Sequence, residues 1–101
     1  MAWSDLLAWF RRPRRLAGRQ VVMFTRNGCH LCALAWTQLE AARQRWGFQL
    51  SKVDVDGDAE LTAKYGNVVP VVTVNGTVRF RGSVNAVLLE RLLRAEALRQ
   101  D

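Results

Sequence analysis

At 101 residues, half of them hydrophobic and about a quarter charged, the chain has room for one compact domain and the balance of a soluble globular protein. Its longest apolar run is a handful of residues, far below the ~20 that a membrane-spanning helix needs. Two cysteines, Cys29 and Cys32, lie three positions apart and reach no distant thiol, so they cannot staple a scaffold. The formal charge of +6 is uneven: Arg11, Arg12, Arg14 and Arg15 stand against Asp5 in residues 1–18, and the basic surplus from Arg19 onward is three. That surplus is ordinary for a soluble surface, no nucleic-acid-binding motif accompanies it, and no nucleic-acid partner is expected.

Residues 2–12 carry Trp3, Leu6, Leu7 and Phe10 at helical spacing, and Pro13 turns the residue before it away from helix. A helix this short does not hold alone in water; it docks on the domain, on a partner or on a lipid surface through residues 1–15, or it frays. The apolar run precedes the arginines, the reverse of a secretory signal, and no apolar segment follows Arg11-Arg12 as a twin-arginine signal requires. A cytoplasmic location is expected, with residues 1–18 as a basic amphipathic extension and 19–101 as the domain.

Val21-Val22-Met23-Phe24 is apolar throughout and too short for a helix, which suits a buried central strand. After Arg26-Asn27-Gly28, the stretch Cys29 to Arg45 sets Cys32, Ala35, Trp36, Leu39, Ala42 and Trp46 on one helical face. Phe48, Leu50, Val53 and Val55 suggest a second strand, and Asp58 is placed to cap a short helix ending at Gly66. Val68 to Val74 and Thr77 to Arg81 flank Asn75-Gly76, the dipeptide most favoured in a two-residue hairpin turn. Gly82 and Ser83 open a last helix with an expected apolar stripe of Val84, Val87, Leu88, Leu92 and Ala95. The order is βαβαββα after the N-terminal helix: an α/β domain with a four-stranded mixed sheet, its first pair parallel and helices on both faces.

Cys29-His30-Leu31-Cys32 sits where a buried strand turns into a helix, and helical spacing of three brings two side chains to roughly 5–6 Å at Cβ. A disulfide fits there with little movement. Cys29 lies at the helix N-terminus, where free N–H groups and the macrodipole favour a thiolate, whereas Cys32 lies one turn inside and is more protected. Cys29 is therefore read as the attacking thiol. Two reduced core cysteines are the plainer alternative, but they leave the strand-loop-helix placement without a reason.

Phe24-Thr25-Arg26-Asn27-Gly28-Cys29-His30-Leu31-Cys32, Val69-Pro70 and Arg81-Gly82-Ser83 together resemble the thioredoxin superfamily, most closely its glutaredoxin-like members, over residues 20–98. The resemblance implies the thioredoxin/glutaredoxin-like fold and a thiol-disulfide oxidoreductase, with Cys29 as nucleophile and Cys32 as resolving thiol. It implies a cis-proline loop facing the cysteines, so that Val69 and Pro70, with Gly82 and Ser83, border a substrate groove. Arg26 matches a basic residue before the glutaredoxin active site, and His30, the lone histidine, adjoins the nucleophile; both are candidates for tuning Cys29. Glutathione or a thioredoxin-type reductant is the implied electron donor, and a disulfide-bearing protein or small thiol the implied substrate. No bound cofactor is expected.

Three departures matter. Gly28 stands where thioredoxins proper have Trp, Met23 stands where they have a buried Asp, and Val84-Asn85 replaces the acidic pair by which glutaredoxins hold glutathione. Metal binding by Cys29, His30 and Cys32 lacks a fourth ligand, and Asp54-x-Asp56-x-Asp58 has Ala59 and Tyr65 where a calcium loop needs Gly and Glu; no metal site is expected. The alternatives from other classes are a non-catalytic thioredoxin-fold binding module and an iron-sulfur cluster carrier shared between two chains.

Overall fold

The computed structural model describes residues 16–99; the expected N-terminal helix, with its candidate surface contact, lies outside the described residues. The chain runs β1 (Gln20–Thr25), α1 (His30–Trp46), β2 (Gln49–Asp54), a 3-10 turn (Val55–Gly57), α2 (Ala59–Tyr65), β3 (Val71–Val74), β4 (Thr77–Arg81) and α3 (Ala86–Leu98). The strands form one sheet in the order β2-β1-β3-β4. β1 and β2 are parallel because α1 crosses between them, and β3 is antiparallel to both of its neighbours.

β1 is central, and its alternation sets the two layers. Val21 and Met23 face α1 and α3, where they meet Leu39, Val72, Val74 and Leu93 in the larger core. Phe24 faces the other way, toward Val55, Tyr65 and Val71 under α2, with the Phe24 and Tyr65 ring centroids 4.9 Å apart. Leu16, which sequence puts in the extension, is fully buried in the larger core, and its N–H donates to the Trp46 carbonyl at 2.9 Å. The hairpin turn forms as read: Asn75 and Gly76 both take positive φ, and Asn75 Oδ1 accepts the Gln20 N–H at 2.9 Å.

Two boundaries differ from the sequence reading. β3 begins at Val71 rather than Val68, since Pro70 has no N–H to give a ladder. The last helix begins at Ala86, capped by Asn85, whose Oδ1 accepts the Leu88 N–H at 3.0 Å. Because Val84 precedes the helix, a stripe phased on it is rotated. The buried residues are Leu89, Leu93, Glu96 and Ala97, while Val87 and Leu88 are exposed. Glu96 is tolerated on that face because Arg19 Nε donates to its carboxylate at 3.2 Å.

This phase is directly testable by equilibrium unfolding. Leu93→Ala is expected to cost about 2–5 kcal/mol, and Leu88→Ala, at an exposed site, no more than about 0.5 kcal/mol. Equal costs would contradict the observed face.

Candidate active site

The site is built where β1 ends. The chain leaves the sheet after Thr25, and Gly28 turns it with φ +77, a left-handed conformation that side chains with a Cβ rarely adopt. Nothing lies within 4 Å of where a Gly28 Cβ would stand, so the backbone, not crowding, calls for glycine. Cys29 then caps α1 in extended conformation, and its Sγ accepts the Cys32 N–H at 3.1 Å. The two Sγ atoms are at disulfide distance, with the Cα atoms 5.2 Å apart. Cys29 is half-buried and Cys32 is 3% exposed. His30 is the exposed first residue of α1.

The Val69-Pro70 peptide bond is cis, as the resemblance implies. Phe24 pairs with Val71, so the residues just before β3 lie at the same end of the sheet as the residues just after β1. The Gly82 N–H is shared between the Val68 and Pro70 carbonyls at 2.8 and 2.9 Å, which ties the end of β4 to this loop. Gly82 has φ +82, Ser83 is exposed and Val69 is half-buried. Cys29, Val69 and Pro70 thus come from one end of the sheet, with Gly82 and Ser83 beside the proline loop.

Arg26 is engaged within the fold. Its Nε and Nη2 donate to the two Asp56 carboxylate oxygens at 3.1 and 2.6 Å, and its Nη1 donates to the Gly66 carbonyl at 2.9 Å. The clamp joins the active-site loop to the 3-10 turn and to the end of α2. The hydrogen-bonded guanidinium holds the Asp56 carboxyl below the usual aspartate range. Asp56 and the nearby Asp54 in turn keep Arg26 charged. At Gly66 a Cβ would stand 2.5 Å from the Thr62 carbonyl and 3.2 Å from Arg26 Nη1, so this position admits only glycine without a shift.

Sequence reasoning missed a hollow of about 590 Å³ beside the cysteines, whose lining includes Gly28, Cys29, Cys32, Trp36, Lys52 and Asp54. The signal was present in β2. Pairing sets Leu50, Lys52 and Asp54 level with Val21, Met23 and Thr25, so a lysine and an aspartate continue the row that Leu50 begins in the core. Lys52 Nζ lies 4.2 Å from the Trp36 ring centroid. Met23 is 1% exposed, so the position of the missing buried carboxylate is filled by packing. Asp54 and Asp58 do act as end-of-strand and cap residues: Asp54 accepts the Asp56 N–H at 2.9 Å and Asp58 the Glu60 N–H at 2.8 Å. Among the described residues no three His, Cys, Asp or Glu gather as a metal site, and no helix is long and apolar enough to cross a membrane.

A mixed four-stranded sheet flanked by helices, with a CxxC pair at disulfide distance at a helix N-terminus, defines a thioredoxin-fold protein equipped for thiol-disulfide redox chemistry as a class. Residues 20–94 match the model of the glutaredoxin-like domain (DUF836), and the chain belongs to that family. An uncharacterized protein of Mycobacterium tuberculosis is 36% identical over 62 residues, which are 56% of this chain and 64% of that protein, so the match spans less than two thirds of the relative's length. A probable thioredoxin of Methanothermobacter thermautotrophicus is 32% identical over 62% of this chain and 78% of its own. A solved X. campestris protein superposes with TM-score 0.61 at 32% identity, covering 74% of this chain and 96% of that one. The fold also matches Halobacterium salinarum thioredoxin, with TM-score 0.60 at 18% identity over 94% of this chain and 85% of that one.

The Arg26 clamp makes stability depend on acid in a defined direction. The Asp56 pKa is lowered in the folded state, so the contribution of the pair is complete above the unfolded aspartate value and is lost as pH falls through the folded one. The melting-temperature gap between wild type and Asp56→Asn is expected at neutral pH and closes under acid, below about pH 4. A gap that stays constant through that range would contradict the ion pair.

Proposed function

We propose that the protein is a glutaredoxin-like thiol-disulfide oxidoreductase in which Cys29 is the nucleophile and Cys32 resolves. The observation that carries this reading is the Cys32 N–H donated to Cys29 Sγ. A donor aimed at that sulfur, at the positive end of a 17-residue helix, stabilises negative charge on it. Cys32 receives no such help and is shielded by the core.

The exchange runs in two displacements. The Cys29 thiolate attacks one sulfur of a substrate disulfide, forming a mixed disulfide and expelling the other sulfur as a thiolate. The Cys32 thiolate then attacks Cys29 Sγ, closing the Cys29-Cys32 disulfide and releasing the second substrate thiolate. Two electrons pass from the dithiol to the substrate, and an external dithiol restores the protein.

Several features support a protein or peptide disulfide as substrate. Among the described residues neither the Val69 N–H nor its carbonyl has a hydrogen-bond partner, which leaves both for an extended segment lying along Pro70. Leu31 and Val68 are large apolar side chains left exposed near the cysteines and the proline loop. In this reading Gly82 and Ser83 edge the groove, His30 follows the nucleophile as the exposed first residue of α1, and Arg26 acts on Cys29 by fixing the loop that carries it. Glutathione is a weak donor, because Val84 is buried and Asn85 Oδ1 is occupied by the helix cap. A thioredoxin-type dithiol in the cytoplasm fits better.

The two cysteines are expected to behave asymmetrically with a disulfide substrate. Cys29→Ser abolishes reduction, while Cys32→Ser attacks once and accumulates a mixed disulfide visible by mass spectrometry. Trapping by Cys29→Ser instead would reverse the roles, and trapping by neither would favour a non-catalytic binding module.

A further inference from the structure

The hollow beside the cysteines carries a chemistry of its own. It exists on the β2 side of the site, where Gly28 projects no side chain and the space around it is open. Its apolar wall is Trp36. Four charged residues line or border it: Arg26, Lys52, Asp54 and Asp56. Arg26 and Asp56 neutralise one another as a close pair. Lys52 and Asp54 form no ion pair among the described residues: the ammonium stands over the Trp36 ring, and the carboxylate, one oxygen of which accepts the Asp56 N–H, has its other oxygen to offer. They lie two apart on β2, on one face of the sheet, about 6–7 Å along the strand. The row that begins with Leu50 in the core continues as Lys52 and Asp54 into an open hollow beside the nucleophile. The turn uses one Asp54 oxygen, and among the described residues neither the other oxygen nor the Lys52 ammonium is committed to an ion pair.

We propose that this hollow binds the α-amino-acid end of a low-molecular-weight disulfide, Lys52 taking its carboxylate and Asp54 its ammonium, while Trp36 covers its methylene and Cys29 meets its sulfur. The proposal rests on the redox reading above and adds a second substrate class to the protein or peptide disulfides of the proline-loop groove. A net-neutral pair of unlike charges matches a zwitterion and disfavours a ligand with a single charge. The bonds and electrons balance: Cys29 thiolate displaces one amino-acid thiolate from the small disulfide, Cys32 displaces the second from Cys29, and each released thiolate takes a proton, one shed by each protein thiol. Two electrons leave the protein dithiol, and two small thiols are formed.

The test uses the full chain, reduced and freed of reductant, mixed separately with four disulfides: L-cystine with both charges, cystamine with the ammonium only, dithiodipropionate with the carboxylate only, and neutral hydroxyethyl disulfide. Each variant is compared with wild type on the same disulfide, so intrinsic reactivities cancel. Lys52→Met is expected to slow oxidation by cystine and dithiodipropionate about three- to fivefold, the scale of a solvent-exposed ion pair, and to spare the other two. Asp54→Asn, which keeps the cap oxygen, slows cystine and cystamine by a similar factor and spares the rest. Lys64→Met removes the same charge on α2, away from the hollow, and changes none of the four. Losses equal across all four disulfides, or no loss with cystine, overturn the pocket while the redox reading stands. Failure of wild type to react with any of them, the neutral one included, overturns the redox reading itself.

Discussion

One backbone N–H aimed at one sulfur organises this molecule. The Cys32 N–H reaches Cys29 Sγ only because Cys29 is extended at the helix cap rather than inside the helix. That position in turn requires the chain to leave β1 and reverse at Gly28 before α1 begins. The central, doubly covered β1 fixes the point of departure, and the packing of α1 on Met23 and Val21 fixes the direction of the helix. The asymmetry between a half-exposed, hydrogen-bonded Cys29 and a shielded Cys32 follows from these constraints without any further residue.

Charge is distributed around that centre in two ways. Arg26 spends its guanidinium on the fold, bridging Asp56 and the Gly66 carbonyl, and so holds the loop between β1 and α1 against the turn that follows β2. Lys52 and Asp54 are held to the same side by the β1-β2 register, yet stay free of ion pairs among the described residues. A site with its structural charges paired and its remaining charges balanced presents little net field. Selectivity there comes from matched contacts rather than from long-range attraction.

Much of this was legible in the sequence because local chemistry decided it. An apolar four-residue run made a central strand, Asn75-Gly76 made a hairpin, Asp58 made a cap, and Cys29-x-x-Cys32 after a strand marked the reactive helix terminus. The errors arose where tertiary register decides. The phase of α3 rested on Val84, which is buried but precedes the helix, and so the stripe was read one position early. The engagement of Arg26 within the fold is not legible locally, because its partners, Asp56 and Gly66, are 30 and 40 residues away. The signal for the hollow, Lys52 and Asp54 in step with Leu50, is hard to read because it depends on which face of β2 turns toward α1, and Phe48, Leu50, Val53 and Val55 do not keep a single alternation.

The central claim is that helix position separates two chemically identical thiols. It is tested most directly by following alkylation of each cysteine in the reduced protein across pH, with mass spectrometry to assign the modified residue. The account predicts that Cys29 reacts as a thiolate well below the free-thiol value of ~8.5 and that Cys32 titrates above Cys29. A faster, lower-pKa Cys32, or two cysteines that both titrate near ~8.5, would contradict it.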